Sequence, residues 1–158
     1  MSRDFKKVQK EIQNWEKAVR AGRGQSVTKQ IKKLVAKNIP DIYRRDIAAL
    51  LRRTGDYSLA LKVIYPKVYS ANNQFHEKTT PDDVAEYSLL LLRIGANREA
   101  LSKLVKLDPH RALQRNIYIA YCYFSIRNYE AAIPYLLEYL ELPGLTDYNN
   151  IIGRVNLL

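Results

Sequence analysis

The side chains of this sequence that could act as nucleophiles, acid–base groups or metal ligands are few and widely spaced. The single cysteine, Cys122, lies in an apolar run, and neither His76 nor His110 has a second ligand at metal-binding spacing. The pair Asp82 and Asp83 opens a predicted helix, where the helix dipole alone stabilises carboxylates. We therefore expect no catalytic residue, no metal site and no cofactor, and the sequence predicts a protein that is not an enzyme.

Composition indicates a soluble globular chain, since 47% of its 158 residues are apolar and 27% are charged. The formal net charge is +10, and its distribution is uneven. Residues 1–40 contain 11 Lys and Arg against 3 Asp and Glu, whereas residues 82–158 contain 8 against 9. Such an asymmetry predicts an acidic partner at the N-terminal end, although a solvated basic helix face is the simpler alternative.

Location is predicted from what the sequence lacks. The longest apolar run, Leu89 to Leu92, is far shorter than the roughly 18 residues that a membrane-spanning helix needs. The charged N-terminus has no apolar segment typical of a secretory leader, and one cysteine cannot form an internal disulfide. We expect a cytoplasmic protein with no membrane partner.

The first 40 residues read as a basic helical hairpin. Apolar residues recur every three or four positions from about residue 4 to residue 21, which indicates one amphipathic helix. Gly22-Arg23-Gly24 ends that helix, and Ser26 is predicted to cap a second helix that stops at Pro40. The apolar stripe of the first helix consists of Phe5, Val8, Ile12, Trp15 and Val19.

Three further pairs of helices follow over residues 41–145. Their turns are predicted near Gly55, Gly95 and Asn128, and Thr80-Pro81 opens the second pair with proline near the first helical position. The first helix of the third pair is expected to begin at about His110. Residues 146–158 then form a last helix, which either caps the stack or leads into a longer chain.

The three turns share a pattern in which a buried alanine follows the turn where two helices approach closely. The pattern reads Gly55-Asp56-Tyr57 with Ala60, Gly95-Ala96-Asn97 with Ala100, and Arg127-Asn128-Tyr129 with Ala132. Over residues 41–142 it resembles the tetratricopeptide repeat, whose unit is about 34 residues long. The repeats are degenerate, because these alanines stand 40 and then 32 residues apart. The resemblance implies an all-α fold of antiparallel hairpins stacked as a right-handed α-solenoid.

The same resemblance implies a protein-binding groove lined by the first helices of successive pairs. Its candidate residues combine arginines, which pair with carboxylates, and aromatic anchors. By position they are Arg45, Arg52, Arg53, Arg93, Tyr121 and Phe124. Tyr121 and Phe124 have a second interpretation as core residues, because the run from Tyr118 to Phe124 is apolar nearly all round. We expect a non-catalytic adaptor or scaffold that binds a peptide or an acidic protein surface.

A competing hypothesis is based on the basic hairpin, whose cations could bind nucleic acid. These residues are Lys6, Lys7, Lys10, Arg20, Arg23, Lys29, Lys32, Lys33 and Lys37. No recognition motif accompanies them, and Trp15 belongs to the apolar stripe of its helix. A regulatory domain of a longer chain is the third reading of the sequence.

Overall fold

The structure is a computed structural model that describes residues 2–35 and 39–158, with side chains from residue 6 onward. Within these ranges the chain forms nine α-helices, and an isolated bridge between Tyr69 and Phe75 is the only β-type pairing. The predicted all-α class is therefore confirmed. The helices are α1 (Ser2–Arg20), α2 (Gly24–Val35), α3 (Arg44–Arg53), α4 (Tyr57–Val68), α5 (Pro81–Arg93), α6 (Asn97–Leu104), α7 (Arg115–Ser125), α8 (Tyr129–Glu141) and α9 (Asp147–Leu157).

The helices group into two compact units, residues 1–78 and 79–158. In the first unit, α1 packs on α2 and α3, α2 contacts α3, and α3 packs on α4. In the second unit, α5 packs on α6 and α7, α6 contacts α7, α7 packs on α8, and α8 packs on α9. In both units, therefore, the first helix of one hairpin contacts its own partner and the first helix of the next hairpin.

Four hairpins close with the same turn, in which one residue adopts the left-handed conformation. Its φ is +78° at Gly22, +86° at Gly55, +87° at Gly95 and +59° at Arg127. The N–H of each of these residues bonds to the carbonyl three residues back, and the next N–H bonds to the carbonyl five residues back. This pair of bonds is the Schellman ending of a helix, which satisfies carbonyls that the helix leaves open. The hairpin of α1 and α2 thus has the turn that the sequence predicted only for the later pairs.

The residue five positions after the left-handed residue is buried in every hairpin. Ala60, Ala100 and Ala132 are completely buried, as their place at the helix crossing requires, and Val27 takes this position in the first hairpin. Small side chains allow the two helix backbones to approach closely just past the turn. The predicted burial of the three alanines is therefore confirmed.

Two predicted helix boundaries are wrong. Helix α7 begins at Arg115 and not near His110, because residues after Asp108 form turns in which the Asp108 carbonyl accepts from the N–H of Ala112. Helix α2 begins at Gly24, ahead of the predicted cap Ser26, because the N–H of Val27 already bonds to the carbonyl of Arg23. In both places backbone hydrogen bonds fix the boundary.

Each unit has its own apolar interior, and α9 joins the second through a close backbone approach. Side chains from α7 and α8 form the core of the second unit, with Leu136 and Tyr139 fully buried. A Cβ placed on Gly153 of α9 would lie 2.7 Å from Leu140 Cδ2 and 2.9 Å from Tyr139 Cδ1. Glycine at this position therefore lets α9 lie directly on α8. Among the described helices, none is long and apolar enough to cross a membrane.

The left-handed turn gives a direct test of this description. Replacing Gly95 by alanine should lower the free energy of unfolding by about 1 kcal/mol, because an L-residue is strained at positive φ. No heavy atom outside its chain neighbours lies within 4 Å of the added Cβ, so the effect is a backbone effect. Arg127→Gly, at the equivalent position, should raise the free energy of unfolding. Urea denaturation measures both, and equal effects of the same sign would contradict the shared turn.

Candidate protein-binding surfaces

The three predicted groove arginines of the first unit lie on α3. Arg45 and Arg52 are partly buried, and both interact with other parts of the chain. Arg53 is more exposed, and its Nη1 lies 3.9 Å from Glu16 Oε1 on α1. All three guanidinium groups are therefore near other protein groups, and Arg53 has the loosest of the ion pairs.

The other predicted groove residues belong to the second unit. Arg93 is exposed at the end of α5, whereas Tyr121 and Phe124 are partly buried on α7 and pack against the core. The rings of Tyr121 and Phe124 lie 6.3 Å apart, and Phe124 also lies 5.9 Å from the ring of Tyr129. Both interpretations of these aromatics hold in part, because one side of each ring meets the core and another side meets solvent.

The basic residues of the first hairpin form an exposed surface, which we call the N-terminal basic surface. Eight of the predicted cations lie among the described residues and all eight are exposed, whereas Lys37 lies outside them. Lys32 is paired with Asp56 at 3.0 Å. Lys17 is also exposed, although it was not among the predicted binding residues. The eight are Lys6, Lys7, Lys10, Arg20, Arg23, Lys29, Lys32 and Lys33.

Burial of the apolar stripe forces these cations outward. Ile12 and Trp15 of α1 are buried, as are Val27 and Ile31 of α2, so the opposite faces of both helices meet solvent. The indole N–H of Trp15 donates to Gln30 Oε1 at 2.7 Å, which satisfies its polar atom. Trp15 thus supports the hairpin and does not offer an open ring.

A cleft of about 640 Å³ lies between α1 and α2 within this surface. Trp15, Val27 and Leu34 provide apolar walls, while cationic and polar groups line the rest of the cleft. Its charged residues are Glu11, Lys17, Arg23 and Lys33, so positive charge exceeds negative charge. A cleft of this chemistry fits an apolar side chain flanked by carboxylates.

The residue types that sequence reasoning examined for chemistry have structural surroundings. Asp83 forms a capping box: its Oδ2 accepts from the Thr80 N–H at 2.9 Å, and its own N–H donates to Thr80 Oγ1. His76 Nδ1 accepts from the backbone N–H of Lys78 at 3.2 Å. Among residues 2–35 and 39–158, no three His, Cys, Asp or Glu side chains are arranged to hold a metal ion.

Cys122 is fully buried in α7, and burial raises the pKa of its thiol from 9.0 to about 11. The thiolate is the reactive form of cysteine, so this thiol is both covered and protonated near neutral pH. Its environment is that of a small apolar core residue.

Comparison with known proteins adds no assignment. The chain matches no protein-family model, and neither the curated proteins nor the solved structures contain a significant match to it.

The state of Cys122 has two measurable consequences. In the folded protein iodoacetamide should label this thiol far more slowly than in urea-unfolded protein. Between about pH 9 and pH 11 the unfolded chain releases a proton that the folded chain retains, so stability should fall as the pH rises. Burial also raises the pKa of Tyr139, which adds to the same trend. Urea midpoints measured across this window for the wild type and for Cys122→Ala isolate the cysteine contribution, and equal pH slopes would contradict it.

Proposed function

We propose that this protein is a non-catalytic adaptor, built from tetratricopeptide-like hairpins, that binds an acidic protein or peptide. The observation that carries the proposal is the fourfold recurrence of one helix–turn–helix geometry. In all four hairpins the same two turn hydrogen bonds occur, and a buried residue stands five positions past the left-handed residue. Repeated supersecondary units of this kind bury their faces by stacking and leave extended surfaces for partners.

The contacts inside each unit support stacking as the building principle. Helices α1 and α3 touch as the first helices of successive hairpins, and α5 and α7 do the same in the second unit. Gly22 and Gly55 are thirty-three residues apart, close to the repeat length of about 34. We therefore extend the proposed repeat to α1 and α2 and infer an α-solenoid whose first repeat is the most basic.

An acidic partner follows from the charge of the first unit. Residues 1–78 contain 18 Lys and Arg against 7 Asp and Glu. Within the described part of this unit, the N-terminal basic surface and its cleft present cations next to apolar walls. Complementary charge speeds association and selects partners, while an apolar contact adds affinity. We assign the first contact with the partner to this surface.

The predicted groove residues contribute to the same proposal to different degrees. Arg53 and Arg93 are exposed and accessible to a carboxylate, and Tyr121 and Phe124 offer half-exposed rings as apolar anchors. Arg45 and Arg52 already interact within the chain, so a partner would have to exchange their contacts.

Charge reversal tests the acidic-partner proposal. Partners are captured from nuclease-treated source lysate, identified, and then titrated as purified proteins. Lys10→Glu with Lys33→Glu should weaken binding at least about tenfold, since it replaces two attractive charges by two repulsive ones. Lys106→Glu with Arg98→Glu, two exposed cations of the second unit, is the matched control and should change affinity little. Equal losses in both variants, or no loss in either, would contradict the assignment.

Nucleic acid is the second candidate partner, favoured by the same exposed cations of α1 and α2. It predicts a steep salt dependence: duplex affinity should fall on the order of 10³-fold between 50 and 200 mM salt if about six phosphates are contacted. The buried position of Trp15 argues against base stacking by this hairpin. Fluorescence anisotropy with a labelled duplex measures the slope, and a flat response removes this candidate.

A further inference from the structure

The second unit exposes a continuous apolar face along α8 and α9. On α9, four apolar side chains project away from the core at positions 148, 151, 155 and 158, with exposed fractions from 59% for Ile151 to 107% for Leu158. On α8, Tyr129, Ile133 and Leu137 form a second exposed row at steps of four. The α9 residues are Tyr148, Ile151, Val155 and Leu158.

A cavity of about 460 Å³ joins the two rows where the start of α8 meets the end of α9. Its walls are mainly apolar, and Phe124 reaches it from α7. Single exposed apolar side chains are common on proteins, but seven on two packed helices around a cavity indicate an interaction site. The lining residues are Phe124, Tyr129, Ile133, Leu136, Val155, Asn156, Leu157 and Leu158.

The charges around this face have one dominant sign. Residues 129–158 contain four carboxylates, one arginine and no lysine. Glu130 and Glu141 are exposed on α8 beside the row of Ile133 and Leu137, and Asp147 is exposed at the start of α9. The arginine, Arg154, donates from Nε to Asn150 Oδ1 on its own helix at 2.8 Å. An acidic border therefore surrounds an apolar face in a chain whose net charge is +10.

We propose that this face of α8 and α9 binds a basic amphipathic helix from another protein. Two parallel apolar rows with a cavity between them fit side chains spaced at i, i+3, i+4 and i+7 on one helix face. Lysines and arginines on the flanks of that helix would meet Glu130, Glu141 and Asp147. The site is separate in sequence and opposite in charge preference to the N-terminal basic surface, so the proposal does not depend on the acidic partner.

A designed peptide tests the proposal with the full chain. The probe is a labelled helical peptide of about 18 residues with leucines at i, i+3, i+4 and i+7 and lysines elsewhere. Its control has glutamates in place of the lysines. Because the chain as a whole is strongly positive, nonspecific attraction would favour the glutamate peptide. Tighter binding of the lysine peptide is the expected result, and equal or reversed preference would overturn the proposal.

Variants locate the binding site. Ile151→Ser with Val155→Ser should weaken the lysine peptide at least about tenfold, because two apolar contacts are lost. Glu130→Gln with Glu141→Gln should weaken it about two- to fivefold, and added salt should remove that difference. Ile42→Ser and Glu77→Gln alter an exposed apolar residue and an exposed carboxylate of the first unit, and they should leave affinity unchanged. Losses that appear equally in these controls would overturn the site.

Two further measurements keep the result unambiguous. Circular dichroism and thermal unfolding establish that each serine variant retains its helices, as expected for substitutions at exposed positions. Light scattering determines whether the chain self-associates through the same face. A dimer that Ile151→Ser with Val155→Ser converts to monomer would assign the face to a second copy and overturn the proposed basic helix.

Discussion

The architecture depends on one backbone constraint, the left-handed residue that ends the first helix of every hairpin. With φ between +59° and +87°, this residue reverses the chain and lets two N–H groups satisfy open carbonyls of the preceding helix. The reversal places the residue five positions later at the helix crossing, where only a compact side chain fits. Arg127 adopts this conformation although a Cβ disfavours it, which indicates how strongly the surrounding hairpin imposes the turn.

Because the turn is local, the connections between hairpins are free to vary. The residues between α4 and α5 are polar and include a bridge from Tyr69 to Phe75, and a capping box at Thr80 and Asp83 then starts α5. Between α6 and α7, Arg115 donates from Nε and Nη2 to the carbonyls of Leu104 and Val105 at the end of α6. These polar contacts replace the regular spacing of a strict repeat, and they explain how 40 residues separate two equivalent alanines.

Charge and apolar exposure divide the chemistry of the chain between its two units. Burial of Ile12, Trp15, Val27 and Ile31 directs the lysines and arginines of α1 and α2 to solvent. In the second unit, the core takes Leu136 and Tyr139 from α8 and leaves alternate apolar residues outside among carboxylates. The side chains with chemical reactivity are used in support: Asp83 caps a helix, and Cys122 fills the core as a neutral thiol. Such a division suits binding at surfaces more than chemistry in a cleft.

The sequence by itself determined the helical class, the position of most helices and the turns at Gly55, Gly95 and Asn128. These features depend on local backbone preferences and on apolar periodicity, both of which are readable from neighbouring residues. The tertiary structure alone decided features that depend on distant contacts. It gave the first hairpin the same turn as the others, engaged Arg45 and Arg52 within the chain, and left the rows of Ile133 and Ile151 uncovered. Periodicity identifies an apolar side chain, but only the packing of other helices against it determines whether water still reaches it.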